Sequence, residues 1–251
     1  MVGKSDPSAS VMKLTSAALT DIGRVRRQNE DRFLKNDDLR LFGVADGVGG
    51  LPGGAEAAKL TVETLQAAIA DKFPANDTAL IRVVREVNNR VAELGQLLSP
   101  GLGIGTTLTV GLIHQDILRI AHVGDSRCYL WREGTLHQVT EDHSVENEAR
   151  ARRARGEIVD VPMQHRNALT RCIGQPYDPE VDVVTIPLQA GDRILFASDG
   201  ITRVLDDPQL AVMLAPPTPP QRCLEEIVHL TNDEGGPDNA TAVLIVVDEL
   251  D

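Results

Sequence analysis

Apolar positions along this chain follow two different periods, and the switches between them mark out its elements. Runs rich in β-branched residues at 39–45, 104–113, 116–123, 126–131, 181–186, 193–198 and 240–247 predict strands. Between the first and second of these, Ala58, Val62, Leu65 and Ile69 recur at helical spacing, as do Leu80, Val84, Val87, Val91 and Leu94. The second set follows Asn76-Asp77-Thr78, a start signal because side-chain oxygens there can accept the free N–H groups of a first helical turn. Asp206-Asp207-Pro208 predicts another helix start, and Leu224, Ile227, Val228 and Thr231 mark a further helix. Pro216-Pro217-Thr218-Pro219-Pro220 reads as a stiff connector between them, in preference to a ligand for a proline-recognition domain. Strands grouped before and after paired helices do not alternate as βαβ units would. The pattern therefore predicts an α+β fold in which antiparallel sheets are covered by helices.

Strand periodicity is lost between 142 and 170, where Arg150, Arg152, Arg153 and Arg155 crowd before Gly156. A solvated helix face is the favoured reading, since charge runs usually face water. The alternative is a mobile flap beside the functional site whose arginines attract anionic substrate.

Composition narrows the classes. The chain has 251 residues without an internal composition break, so one domain over 11–251 is expected, preceded by a disordered segment at 1–10. A formal net charge of −12 argues against nucleic-acid binding, which needs a basic footprint. Cys128, Cys172 and Cys223 are widely spaced and odd in number, which suits a reducing compartment rather than a disulfide framework or zinc site. No apolar run approaches the roughly 20 residues that span a bilayer, and no signal peptide is evident. A cytoplasmic monomer without membrane or nucleic-acid partners is expected.

The candidate chemistry lies in carboxylates at strand ends. Asp46 closes Leu-Phe-Gly-Val-Ala-Asp-Gly, Asp199 closes Ile-Leu-Phe-Ala-Ser-Asp-Gly, and Asp238 precedes Asn-Ala-Thr-Ala-Val-Leu-Ile-Val-Val. Each alone could be a turn residue. Several converging at the mouth of a sheet would be costly to desolvate without cations, and hard divalent metals with oxygen ligands suit them. Gly124-Asp125-Ser126-Arg127 sits between two strands in the same manner. Gly23-Arg24-Val25-Arg26-Arg27-Gln28-Asn29-Glu30-Asp31 adds an arginine whose planar fork could hold a phosphate near an acidic pair. Asp46-Gly47-Val48-Gly49-Gly50 is no nucleotide phosphate loop, because no Gly-Lys-Ser/Thr follows.

In this order the motifs, with Gly105-Thr106-Thr107, His122-Val123-Gly124-Asp125-Ser126-Arg127 and Asn167-Ala168-Leu169-Thr170-Arg171, resemble the PPM family of metal-dependent serine/threonine protein phosphatases, the protein phosphatase 2C-like enzymes. The resemblance runs from about Ala18 to Val247 and is greatest to compact bacterial members that reverse Ser/Thr kinases, some of which serve type VI secretion. It implies a four-layer α-β-β-α sandwich with two central antiparallel sheets and two Mn²⁺ or Mg²⁺ ions at one edge. Asp46 would bridge both ions, Gly47 would offer its carbonyl, and Asp199 and Asp238 would bind the first ion. Glu30 and Asp31 would act largely through metal-bound waters, and Arg26 would grip the substrate phosphate. A water bridging the ions would attack phosphoserine or phosphothreonine. The alternatives are a pseudophosphatase that binds phosphoprotein, or a phosphatase of a small phosphorylated metabolite.

Two positions depart from the family pattern. Val48 stands where many eukaryotic members carry the histidine assigned as general acid, leaving metal-bound water, His122 or His143 as substitutes. Arg203 stands where the family usually has an aspartate that, with the equivalents of Asp125 and Asp199, binds a weaker third ion. Arg203 lies one helical turn beyond Asp199 and is expected to pair with Asp125, supplying part of that ion's charge. The competing expectation is that Arg203 points to solvent and a weakened third site survives at Asp125 and Asp199.

Overall fold

The computed structural model describes residues 12–49 and 53–250, so the segment 1–10 and Gly50 of the second motif lie outside the described residues. Ten strands form two five-stranded antiparallel sheets. In the first, β1 (Lys13–Asp21), β10 (Ala240–Glu249), β9 (Arg193–Ala197), β6 (Arg127–Arg132) and β7 (Thr135–Gln138) lie side by side in that order. In the second the order is β2 (Arg32–Asn36), β3 (Leu41–Ala45), β4 (Leu108–His114), β5 (Ile117–Val123) and β8 (Asp182–Pro187).

The period-2 pattern of the buried strands builds three cores from two sheets. Ile194 and Phe196 of β9, with Val243, Ile245 and Val247 of β10, meet Phe42, Val44, Leu118 and Ile120 of the facing sheet. Their strand neighbours Leu195, Ala197, Ala242 and Leu244 point the other way, onto α5 (Asp207–Leu214) and α6 (Pro220–Asp233) through Leu210, Leu214, Leu224 and Ile227. On the opposite side Leu41, Leu108, Val110 and Leu112 pack under α1 (Gly54–Asp71) and α2 (Asp77–Leu98), which present Leu65, Ile69, Leu80, Val84, Val87 and Val91. Alternate residues of one strand thus serve different layers, and the result is the expected α-β-β-α order.

The helix start signals are used as read. Asn76 accepts from the Ala79 N–H at the head of α2, and Asp206 forms a capping box with Gln209 ahead of α5. Residues 142–170 hold α3 (Val145–Ala154) and one 3₁₀ turn, Met163–His165. The arginines of α3 are neutralised locally: Arg153 pairs with Glu146 at 2.7 Å and Arg152 with Glu157 at 2.6 Å. That is the solvated-face reading, and no arginine from 150 to 155 lines the cleft described below. No helix among the described residues is long and apolar enough to cross a membrane.

Candidate active site

Each predicted carboxylate stands where a strand ends, and the strand order brings those ends together. Asp46 follows β3, Asp125 follows β5, Asp199 opens the one-turn helix α4 (Asp199–Thr202) after β9, and Asp238 precedes β10. With Arg26, Glu30, Gly47 and Arg203 they line one cleft of about 460 Å³. Asn167, Ala168 and Leu169 from the segment after α3 close one side of it. Asp31 lies beneath, 2% exposed.

Backbone approach at two glycines makes this convergence feasible. A Cβ on Gly47 would lie 2.5 Å from the backbone of Gly54, where α1 begins. A Cβ on Gly200 would lie 1.9 Å from the carbonyl oxygen of Asn239. Neither position tolerates a side chain without moving a segment that carries a carboxylate.

A hydrogen-bond frame fixes the acids from behind. The Asp46 N–H donates to Thr107 Oγ1 at 2.9 Å, while its carbonyl accepts from the Thr106 hydroxyl and the Thr107 N–H, each at 2.8 Å. Ser198 Oγ donates to Asp31 at 2.8 Å and accepts the Thr241 N–H at 3.0 Å. Asn239 accepts the Glu30 N–H at 2.8 Å through Oδ1, and its amide donates to the carbonyls of Ile22 and Gln28. These partners tie the loop of Arg26 and Glu30 to the strand after Asp238. Sequence reading noted Gly105-Thr106-Thr107, Ser198 and Asn239 within motifs without seeing that they are braces. Such roles depend on cross-strand register, which no local pattern carries.

Electrostatically the cleft is short of positive charge. Burial, then the charges of Asp31, Asp199, Asp125 and Asp238, push the Asp46 carboxyl well above the usual carboxylate range. Burial drives Asp31 up to about 7 despite hydrogen bonds from Thr241 and Ser198 that favour its charged form. Burial, then Asp199, drives Asp125 to about 7 as well. Burial likewise raises Asp199 and Glu30. Two guanidinium groups answer part of this. Arg26 Nη2 lies 2.6 Å from Asp238 Oδ2, and Arg203 Nη2 lies 2.9 Å from Asp125 Oδ2 and 2.5 Å from Asp199 Oδ2. The expected pairing of Arg203 with Asp125 is therefore present, and Arg203 does not simply point to solvent.

The donor set is all oxygen, mostly anionic and convergent, which fits a hard divalent ion. Among the described residues no three His, Cys, Asp or Glu side chains stand ready-made as a chelating group. Asp238 and Asp199 each turn an oxygen to an arginine, so ion binding there requires those carboxylates to be shared or released. The histidines are placed elsewhere. His122, 1% exposed, donates from Nε2 to the Glu141 carbonyl at 2.9 Å, and burial lowers it to about 4. His143 accepts the Gly124 N–H through Nδ1 at 3.0 Å, which leaves its proton on Nε2 toward Asp182. Neither ring lines the cleft, so both read as braces for the Asp125 loop rather than acids in reach of a substrate.

Known proteins similar to this chain match nearly its whole length. The family model for protein phosphatase 2C matches residues 24–243. The serine/threonine phosphatase stp of Listeria monocytogenes is 32% identical over 240 residues, covering 90% of this chain and 93% of that protein. The structure of the S. agalactiae serine/threonine phosphatase superposes with a TM-score of 0.84 at 30% identity, covering 94% of this chain and all of that one. The catalytic domain of the phosphatase PstP, solved in complex with two manganese ions, gives a TM-score of 0.80 at 32% identity, covering 94% and 99%.

Proposed function

The chain belongs to the protein phosphatase 2C family of serine/threonine protein phosphatases, and on that premise we propose that it hydrolyses phosphoserine and phosphothreonine in proteins with two Mn²⁺ or Mg²⁺ ions in the Asp46 cleft. The observation that carries this is the meeting of Asp46, Asp199 and Asp238, from three separate strand ends, in one cleft with Arg26. Ions bound there would supply charge neutralisation for the phosphate and a lowered pKa for the attacking water.

The chain's own residues set the rest. Asp46, Gly47, Asp199 and Asp238 all line the cleft, where Asp46 and the Gly47 carbonyl would hold both ions and Asp199 and Asp238 the first. Asp46 is held in place by Thr106 and Thr107. Arg26 is 42% exposed at the rim, so its guanidinium can meet an incoming phosphate dianion while one Nη2 stays on Asp238. Glu30 lines the cleft and the buried Asp31 lies under it, placed to accept protons from ordered water. The leaving serine or threonine oxygen takes its proton from water in the cleft, since Val48 has none to give and the two histidines lie outside it. Substrates are phosphoproteins made by a Ser/Thr kinase.

The test is phosphate release from a phosphothreonine peptide and from a small phosphate ester, with and without Mn²⁺. Rapid, Mn²⁺-dependent turnover of the peptide is expected, with at least a hundredfold loss in Asp46→Asn and Asp199→Asn. Turnover that ignores Mn²⁺, or survives both substitutions, would overturn the reading. Preference for the small ester would move the substrate to a metabolite.

A further inference from the structure

Arg203 occupies one corner of the cleft. Residue 203 ends the single turn of α4, where its N–H donates to the Asp199 carbonyl at 2.9 Å, so the two side chains rise from the same face. Its Nη2 sits between Asp199 at 2.5 Å and Asp125 at 2.9 Å. Those carboxylates are 12% and 9% exposed in their side chains, whereas Arg203 remains 40% exposed. Two nearly buried acids from different strand ends are thus bridged by one protein cation that reaches in from the rim.

We propose that Arg203 is a built-in cation that holds the Asp125–Asp199 corner, so that the cleft takes two divalent ions and refuses a third. This rests on the two-ion reading of the site and deepens it. Formal charge supports the number. Glu30, Asp31, Asp46, Asp125, Asp199 and Asp238 carry six negative charges when fully ionised, and Arg26 and Arg203 return two. The four that remain are neutralised by two divalent ions. A third ion at the corner would face a guanidinium already bonded to both carboxylates it needs, where the near-burial of those carboxylates leaves like charges poorly screened. Replacing Arg203 with aspartate changes the balance by two units, one divalent ion's worth. Replacing it with lysine leaves the balance as it was.

The experiment counts ions rather than turnover. Bound Mn²⁺ per chain is measured by equilibrium dialysis with electron paramagnetic resonance of the free ion, on the purified wild-type protein and three variants. Expected are two ions for wild type and for Arg203→Lys, and three for Arg203→Asp. Asp125→Asn should still bind two, because Asp125 answers an arginine and not an ion. Thermal unfolding of each variant shows that it is folded, and the wild-type count stands on its own if one is not. Three ions on the wild type, two on a folded Arg203→Asp protein, or a lost ion in Asp125→Asn would overturn the proposal. One ion or none on the wild type would instead remove the two-ion reading beneath it, and this proposal with it.

Discussion

Ser198 Oγ donates to Asp31 and accepts the Thr241 N–H, so a single hydroxyl satisfies a buried carboxylate and a buried backbone group together. Ser198→Ala removes both partners at once. The expected cost is about 1–3 kcal/mol, read as a lower urea midpoint with an unchanged slope, because buried polar groups left unpaired keep their full desolvation penalty. Asp46, Asp125, Asp199 and Asp238 were legible in the sequence because each adjoins a Gly or Asn at the end of an apolar run. The bracing role of Ser198 in the same motif was not, since a serine before an aspartate looks the same whether it caps a turn or supports a carboxylate 167 positions away. The pairing of Arg203 was legible from its helical spacing to Asp199. That of Arg26 with Asp238 was not, because nothing local links positions 212 apart.

At the scale of elements, seven strand runs were readable because their apolar residues are continuous or alternate cleanly. Three strands escaped. β7 (Thr135–Gln138) is an edge strand without a buried residue, and β1 (Lys13–Asp21) buries only Ala17 and Leu19's neighbours pack partly, so neither shows an apolar run. β2 (Arg32–Asn36) has one buried side chain, Leu34, between Arg32 and Lys35. Edge positions need little hydrophobicity because one side of their ladder is open. The join between elements at the site is tighter than any of them alone. Gly200→Ala would drive a methyl into the Asn239 carbonyl, forcing α4 away from the loop of Asp238. About 1–3 kcal/mol of stability should be lost through overpacking. A drop of about a hundredfold in kcat/KM on a phosphopeptide is also expected because the separation of Asp199 and Asp238 shifts by a fraction of an ångström or more. Wild-type kinetics in that variant would show that the contact between α4 and β10 does not set the site.

Across the whole molecule, the crowded acids make stability depend on pH and on ions together. Asp31 and Asp125 are raised to about 7 in the fold, against a value of 3.8 for the ordinary group. Between about pH 4 and pH 7 the folded chain therefore holds protons that the unfolded chain has released. The buried histidines work the other way, His122 most of all with its value lowered to about 4, but the raised acids outweigh them, so stability of the ion-free protein falls as pH rises through that window, by a few kcal/mol in order of magnitude, and levels off above it. A thermal midpoint measured in chelator should accordingly be higher at pH 5.5 than at pH 8. Millimolar Mn²⁺ should raise the midpoint most at pH 8 and flatten the trend, since ion binding stabilises only the state that holds it. A midpoint in chelator that rose with pH would contradict the charge state assigned to this cleft.

The ladder between β1 and β10 pairs Thr20 with Thr241 and Asp21 with Ala240, and this has a consequence for synthesis. As the polypeptide is made, Arg26, which on our proposal meets the phosphate, emerges 212 positions ahead of its acidic partner Asp238. The other described strands of both sheets precede β10, the one that joins β1 to β9. Such long-range closure is slow compared with local helix formation. The cleft is therefore incomplete until Asp238 and β10 have been made, however early its other strand ends are in place.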